Sequence, residues 1–423
     1  MQKIVEKLKN GLQGEIIIPS DKSISHRAVI FSSLAKGKSI IKNFSKGQDP
    51  VSSLKICQKL GIEAEFKNDL IIKSNGKFTR PANSLDCGNS GTTMRFFTGI
   101  LAGQNFNSIL IGDESLSKRP MKRIIEPLTL MGAEINSNDL KAPLKINGKN
   151  LHSIEYTSKL ASAQVKSCIL LAGLNCDGKT VFTEPYTSRD HTERMLKYMG
   201  ANISTDNTTV TIEKSELEAK TIEICGDISS AAYFITASLI VPNSKIILKN
   251  VGLNPTRTGI LDVVKNMGGS LEILDKKTIS GEDVGDIYIS YSDLKSCTIG
   301  GEIIPRLIDE LPVIAVLATQ AEGTTIIKDA QDLRNKESDR IKAVVSGLHK
   351  IGADIEETND GFIIHGKKQL KGGCEVETYH DHRLAMSFYV AGLICEKPIV
   401  INGFEWVDIS FPEFEKIFSM ISI

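Results

Sequence analysis

Six stretches of the chain share one pattern: a polar, often charged loop opens a run that is apolar nearly all round. The loops lie at 19–28, 87–95, 161–166, 226–230, 305–310 and 379–383. The runs that follow lie at 29–35, 96–102, 167–172, 231–237, 311–316 and 384–389. A helix without a polar face has no place on a surface, so these runs predict six buried helices. A strand follows each, starting at Ile40, Ile109, Val181, Ile246, Ile326 and Ile399, a spacing of roughly 70 residues. A second marker recurs as Leu60-Gly61-Ile62, Met131-Gly132-Ala133, Met199-Gly200-Ala201, Met267-Gly268-Gly269 and Ile351-Gly352-Ala353. Each ends an amphipathic helix, such as 340–348, with the Gly as its C-cap and a strand behind it. The chain reads as six α/β repeats with helices inside and sheets outside. A split of three plus three into two lobes, with an active-site cleft between them, is the expected organisation.

The loops carry the chemistry. In the first, strand residues 15–18 end at Pro19, and Ser20 or Asp21 is placed to cap the helix. Lys22 and Arg27 then sit near the positive end of the helix dipole, where cations cost stability unless an anion arrives. Between each strand and the amphipathic helix lie further polar loops. Of these, Arg119, Lys336 and Arg340 join Lys22, Arg27 and Arg383 as a cluster of anion clamps, arginine suiting carboxylate and phosphate through its fork of donors. The loop at 255–258, with Arg257, reads instead as a capped, solvated helix start.

Composition narrows the class. At 423 residues the chain expects two or three domains. Its 51 Lys and Arg balance its 51 Asp and Glu, which argues against a nucleic-acid or membrane-surface binder while allowing a local basic pocket. The eight cysteines form no C-x-x-C pair, so metal and redox motifs are unsupported. No apolar run reaches membrane-spanning length, and residues 1–7 lack the apolar core of a secretory signal, so a cytoplasmic location is expected.

The motifs Ser20-Asp21-Lys22-Ser23-Ile24-Ser25-His26-Arg27, Gly88-Asn89-Ser90-Gly91-Thr92-Thr93-Met94-Arg95, Lys118-Arg119-Pro120-Met121, Ser162-Ala163-Gln164-Val165-Lys166-Ser167, Lys336-Glu337-Ser338-Asp339-Arg340 and Asp381-His382-Arg383, in this order over the full length, closely resemble the 5-enolpyruvylshikimate-3-phosphate (EPSP) synthase family of enolpyruvyl transferases. The resemblance implies a two-lobed inside-out α/β barrel of six βαβαββ repeats. Residues 20–226 would form one lobe, and 1–19 plus 227–423 the other. It also implies transfer of the enolpyruvyl group of phosphoenolpyruvate to the 5-hydroxyl of shikimate 3-phosphate, with release of phosphate, on the route to chorismate and aromatic amino acids. Neither metal nor organic cofactor is implied; the partners are these two small anions, and a monomer is expected.

By the same resemblance, Lys22 contacts both substrates and shuttles a proton. Ser23, Arg27, Ser162, Ala163, Gln164, Ser188, Asp309 and Lys336 hold shikimate 3-phosphate, with Arg27 on its carboxylate. Gly91, Arg119, Gln164, Arg340 and Arg383 hold phosphoenolpyruvate. Asp309 is the base towards the 5-hydroxyl, and Glu337 the proton donor to the methylene carbon. Glu337 also stands at i, i+3 spacing to pair with Arg340. Asn89 and Asp227 read as caps, while His382 is open between ligand contact and packing. Two departures stand out: Ile409 occupies a position where many relatives carry Lys, and Ala163 replaces a Ser found in part of the family. The sister enzyme acting on UDP-N-acetylglucosamine usually has a reactive Cys in the loop here at 112–120, which has none. A non-catalytic anion-binding relative is disfavoured by Asp309, Glu337 and the full set of Arg clamps.

Overall fold

The computed structural model describes residues 1–422. The chain forms two compact units. A continuous unit holds Ser20–Ile224 and a short segment, Thr278–Glu282. A split unit holds Met1–Pro19, Cys225–Lys277 and the chain from Asp283 onward.

One repeat shows how each unit is made. In the continuous unit a sheet runs in the order Leu85–Asp86, Asn107–Ile111, Lys141–Asn147, Glu134–Asn138. The first pair is parallel and is joined by the buried helix Gly91–Ala102. The other two pairs are antiparallel, and the amphipathic helix Lys122–Leu130 leads into them. Parallel neighbours need such a crossover, whereas the last two strands need only a hairpin. The same order recurs in Glu155–Thr157, Lys179–Thr183, Thr209–Glu213, Ile203–Asp206 and, in the split unit, in Thr298–Ile299, Thr324–Ile327, Phe362–His365, Asp354–Glu357. Asn107–Ile111 alternates exposed and buried positions, so its sheet turns one face to water and one to the core.

Two repeats exchange their first strands. Gln13–Ile17 precedes the buried helix Lys22–Leu34, yet pairs in parallel with Lys245–Gly252 of the split unit. Thr221–Glu223 takes the matching place beside Ala35–Lys42 in the continuous unit. The chain therefore changes unit after Pro19 and again after Ile224.

The six predicted buried helices are Lys22–Leu34, Gly91–Ala102, Ala163–Gly173, Ile228–Ile240, Leu311–Ala318 and His382–Gly392. Every residue of Leu311–Ala318 is buried. Gly99 and Cys168 mark how tightly two of them meet: a Cβ on Gly99 would lie 2.2 Å from the Cys168 carbonyl oxygen. Five of the six have a side-chain cap, from Asp21, Ser90, Ser162, Asp227 and Asp381. Of the two candidates in the first loop, Asp21 is the cap; it accepts from the Ile24 N–H at 2.7 Å. The expected cap at Asn89 is corrected to Ser90. The Asn89 amide is drawn away, donating to Asp113 at 2.7 Å and accepting from Arg119 at 2.9 Å. The amphipathic helices end as the marker predicts, with Gly61, Gly132, Gly200, Gly268 and Gly352 all at positive φ between 78° and 106°. Among the described residues no helix is long and apolar enough to cross a membrane.

Candidate active site

The sequence-predicted site residues fall into two sets, one in each unit. In the continuous unit the starts of three buried helices supply them. Arg27 is one turn into Lys22–Leu34 and is buried. Its Nε donates to Thr192 Oγ1 at 2.7 Å, its Nη2 to Ser167 Oγ at 3.1 Å and its Nη1 to the Ser23 carbonyl at 3.0 Å. The guanidinium lies 4.9 Å from the centre of the Phe96 ring. Burial pulls its pKa down to about 10, against the attraction of Glu193, Asp21 and Glu282. Nη1 and Nη2 each carry a second N–H beyond these bonds, donors of the type a carboxylate recognises. Lys22 meets Asp49 at 3.3 Å. His26 is held well below its ordinary pKa by burial, then by Lys22 and Arg27, so it is a neutral packing group bonded to Ser53 at 2.8 Å.

Gly91 opens the next buried helix. A Cβ there would stand 2.7 Å from Arg95 Nη1 and 3.6 Å from Arg119 Nη1, so the glycine keeps two cations close to a helix N-terminus. Arg95 was not among the sequence candidates. Its Nη1 donates to Gln164 Oε1 at 2.6 Å, and Gln164 Nε2 donates to Thr92 Oγ1 at 2.9 Å. The amide of Gln164 is thereby oriented at both ends. Ser162 caps its helix by accepting from the Val165 N–H at 3.5 Å, which leaves its own hydroxyl proton to be donated. Ala163 contributes a first-turn backbone N–H.

Ser188 is less open than its expected role needs. It is buried, and its Oγ–H is given to Glu184 Oε1 at 2.9 Å. Glu184 also accepts from the Ser188 N–H and from Lys166 Nζ, both at 2.8 Å. Lys166 in turn meets Glu193 at 2.7 Å. Burial raises the pKa of Glu193 against the pull of Lys166; burial also opposes the charge on Lys166, but Glu193 and Glu184 outweigh it and raise that pKa.

The split unit gathers the second set around Arg340, which is 1 % exposed. Asp381 receives its fork, from Nε at 2.8 Å and Nη2 at 3.2 Å. Nη2 also donates to Glu337 Oε2 at 2.6 Å, and Nη1 to Asp309 Oδ1 at 3.3 Å. The i, i+3 pairing of Glu337 with Arg340 is thus made. Lys336 reaches Asp309 Oδ1 at 3.2 Å. Arg383 gives Nη1 to the Asp309 carbonyl at 3.1 Å and holds Nη2 3.8 Å from the Asp309 carboxylate. Burial opposes the charge on Arg383, but Asp309, Tyr233 and Glu310 together outweigh it and raise its pKa. Asp381 joins this cluster as a residue the sequence candidates missed. A polar residue just before an apolar helix is a visible cap signal, but its fork to Arg340, 41 positions away, is not.

One expectation changes. Arg257 is not solvated: it is 2 % exposed and donates to Asp227 at 3.1 Å and Ser229 at 2.7 Å. Asp227 is a cap as expected, and a partner of Arg257 as well. His382 is buried in the first turn of its helix. Ile409 closes a short helical turn, Phe404–Ile409, and residues 403–415 hold four acids and no Lys or Arg, so that segment supplies no substitute cation. Among the described residues no group of three or more His, Cys, Asp or Glu could hold a metal ion.

Known proteins agree with one another. A family model described as EPSP synthase (3-phosphoshikimate 1-carboxyvinyltransferase) matches residues 7–418. The 3-phosphoshikimate 1-carboxyvinyltransferase of Bacillus licheniformis is 51% identical over 411 residues, 96% of each chain. That of Bacillus subtilis is 52% identical over 409 residues, 95% of this chain and 96% of its own. A solved structure of EPSP synthase from Acinetobacter baumannii superposes with a TM-score of 0.90 at 40% identity, covering 100% of this chain and 98% of that one. The motifs, the repeat and the clustered arginines have one common explanation: the chain belongs to the EPSP synthase family.

Proposed function

We propose that this chain transfers the enolpyruvyl group of phosphoenolpyruvate to the 5-hydroxyl of shikimate 3-phosphate and releases phosphate. The observation that carries the reading is the paired set of cations: Arg340, Arg383 and Lys336 converge on Asp309 in one unit, while Lys22, Arg27, Arg95 and Arg119 surround helix starts in the other. Both substrates are anions bearing a phosphate and a carboxylate, and the reaction builds charge that such preorganised donors stabilise.

The roles follow from what each group can give. Arg27 offers two N–H groups to the carboxylate of shikimate 3-phosphate, beside Ser23. Ser162, the Ala163 N–H and Gln164 take its 3-phosphate. Ser188 helps only by turning its hydroxyl away from Glu184. Arg119, Arg340 and Arg383 take phosphoenolpyruvate, with Gly91 leaving the space and Gln164 and Lys22 bridging the two substrates. Asp309 accepts the proton of the 5-hydroxyl as its oxygen attacks C2 of phosphoenolpyruvate. Glu337 supplies a proton to the methylene carbon. Glu337 now accepts from Arg340, so it takes up that proton once the incoming anion competes for the guanidinium. The resulting tetrahedral adduct loses a proton from its methyl group and then phosphate, restoring the enol ether. In this reading residues 20–226 and residues 1–19 with 227–423 are the two lobes of an inside-out α/β barrel. The enzyme is a cytoplasmic monomer that needs no metal or organic cofactor.

The test is phosphate release from phosphoenolpyruvate by wild type and Asp309→Ala, with shikimate 3-phosphate as acceptor. Release by wild type that falls by about 10²-fold or more in the variant is expected, the scale of a lost general base. Unchanged release in the variant contradicts the role given to Asp309.

A further inference from the structure

Next to Asp309 stands a second acid that the mechanism does not use. Glu310 begins the buried helix Leu311–Ala318 as its N-cap residue, yet its side chain makes no cap hydrogen bond. Its side chain is 0% exposed, and Oε2 has no hydrogen-bond partner. A buried carboxylate oxygen left without a partner loses its hydration with nothing in return, so a residue kept there for packing alone would be better apolar.

The other oxygen ends a directed chain. Arg257 Nη2 donates to Ser229 Oγ at 2.7 Å and to Asp227 Oδ1 at 3.1 Å. Arginine has no acceptor, so Ser229 must receive that bond, and its single hydroxyl proton then goes to Glu310 Oε1 in a short contact. Glu310 Oε1 in turn faces Arg383 Nη1 at 3.9 Å. That same Nη1 donates to the carbonyl of Asp309, the preceding residue, at 3.1 Å. Arg383 is thus flanked by two neighbouring carboxylates of different fates. Asp309 is partly exposed and reaches the cations assigned to substrate. Glu310 is sealed.

We propose that Glu310 is a positioning residue for Arg383: its charge, fixed in place by Arg257 through Ser229, holds the guanidinium in its clamp position independently of Asp309. Without it, the opposing pull on the other side of the guanidinium is gone, and Arg383, already 3.8 Å from the Asp309 carboxylate, is drawn onto it, engaging the clamp and the base with each other. The inference rests on the reading of Arg383 as a phosphoenolpyruvate ligand.

Steady-state kinetics on Glu310→Gln, Glu310→Ala, Ser229→Ala and Arg383→Ala, each checked by circular dichroism, decide it. Gln keeps an acceptor for Ser229 and removes only the charge. Glu310→Gln is expected to raise KM for phosphoenolpyruvate about tenfold, and Ser229→Ala about threefold, with KM for shikimate 3-phosphate within about twofold of wild type. A wild-type KM for phosphoenolpyruvate in Glu310→Gln, with a loss only in Glu310→Ala, overturns it, because the residue would then serve as a hydrogen-bond acceptor alone. An equal rise in both KM values overturns it too, as a general structural defect. If Arg383→Ala itself leaves KM for phosphoenolpyruvate unchanged, the reading of Arg383 fails and the inference falls with it. A tenfold or greater effect at Arg383 with none at Glu310→Gln removes the inference alone. Should Glu310→Gln fail to fold, Ser229→Ala, which touches neither Asp309 nor Arg383, decides between the same outcomes through the same two KM values.

Discussion

Replacing Asp381 by Asn should disable phosphoenolpyruvate binding without a residue near the substrate having been changed in size. Four donors converge on this buried carboxylate: Arg340 Nε at 2.8 Å, Arg340 Nη2 at 3.2 Å, Ser338 Oγ at 3.0 Å and the Arg383 N–H at 2.9 Å. Asn keeps one oxygen and sets an amide N–H₂ against donors. Breaking a buried ion pair on one side costs about 3–5 kcal/mol. Arg340 keeps Glu337 and Asp309, so the lower end, about 3 kcal/mol, applies. If the guanidinium turns towards those two acids, most of that appears as lost clamp strength, about 10²-fold in kcat/KM for phosphoenolpyruvate. The pH dependence has a definite sign. Burial opposes the Asp381 charge, but Arg340 outweighs it and holds the carboxyl below the usual carboxylate range. Its stabilisation is therefore present above the unfolded value, about 3.9, and is lost as pH falls through the lower folded value. The melting temperature of Asp381→Asn should fall below wild type at pH 7, and the gap should close in strong acid. Phosphate-release kinetics and thermal melting check both parts. A kcat/KM within about threefold of wild type, in a folded variant, would refute the reasoning.

Other consequences are open to test. Gly91→Ala places a methyl 2.7 Å from Arg95 Nη1, the far end of a flexible side chain, so overpacking of about 1 kcal/mol should raise KM for phosphoenolpyruvate roughly fivefold and leave folding intact. Arg27→Lys gives up the fork to Thr192 and Ser167 and should raise KM for shikimate 3-phosphate at least about tenfold, with little change for phosphoenolpyruvate. Lys166→Met strands Glu184 and Glu193 and should cost about 3–5 kcal/mol of stability. Glu193 already has a raised folded pKa, so its contribution is full below the unfolded value and is lost as pH rises; the melting deficit of Lys166→Met should be larger at pH 8 than at pH 5. Gly99→Ala forces a Cβ to within 2.2 Å of the Cys168 carbonyl and should lower the melting temperature by several degrees or abolish soluble expression.

The repeat was legible because its signals are local. An apolar run such as 311–316 has no polar face to offer, and Gly352 ends its helix in a conformation other residues avoid. The cations proposed to bind the substrates were legible because Lys22, Arg27 and Arg383 crowd the starts of apolar helices, where electrostatics gives them no reason to be. What stayed hidden depends on long-range partners. Arg257 reads like any charged loop residue until Asp227 and Ser229 arrive 30 and 28 positions away. Ser188 fits a phosphate-binding loop by type, yet Glu184 already holds its proton. Asn89 has a capping side chain, but Ser90 is one step nearer the helix and Asp113 competes for the amide.

The most direct measurement is phosphorus NMR of the purified enzyme with phosphoenolpyruvate and either shikimate 3-phosphate or UDP-N-acetylglucosamine. The account predicts that the phosphoenolpyruvate signal gives way to inorganic phosphate only with shikimate 3-phosphate, whose own phosphorus stays organic as the enolpyruvyl product forms. Consumption with the nucleotide sugar instead, or release of phosphate with no acceptor at all, would contradict it.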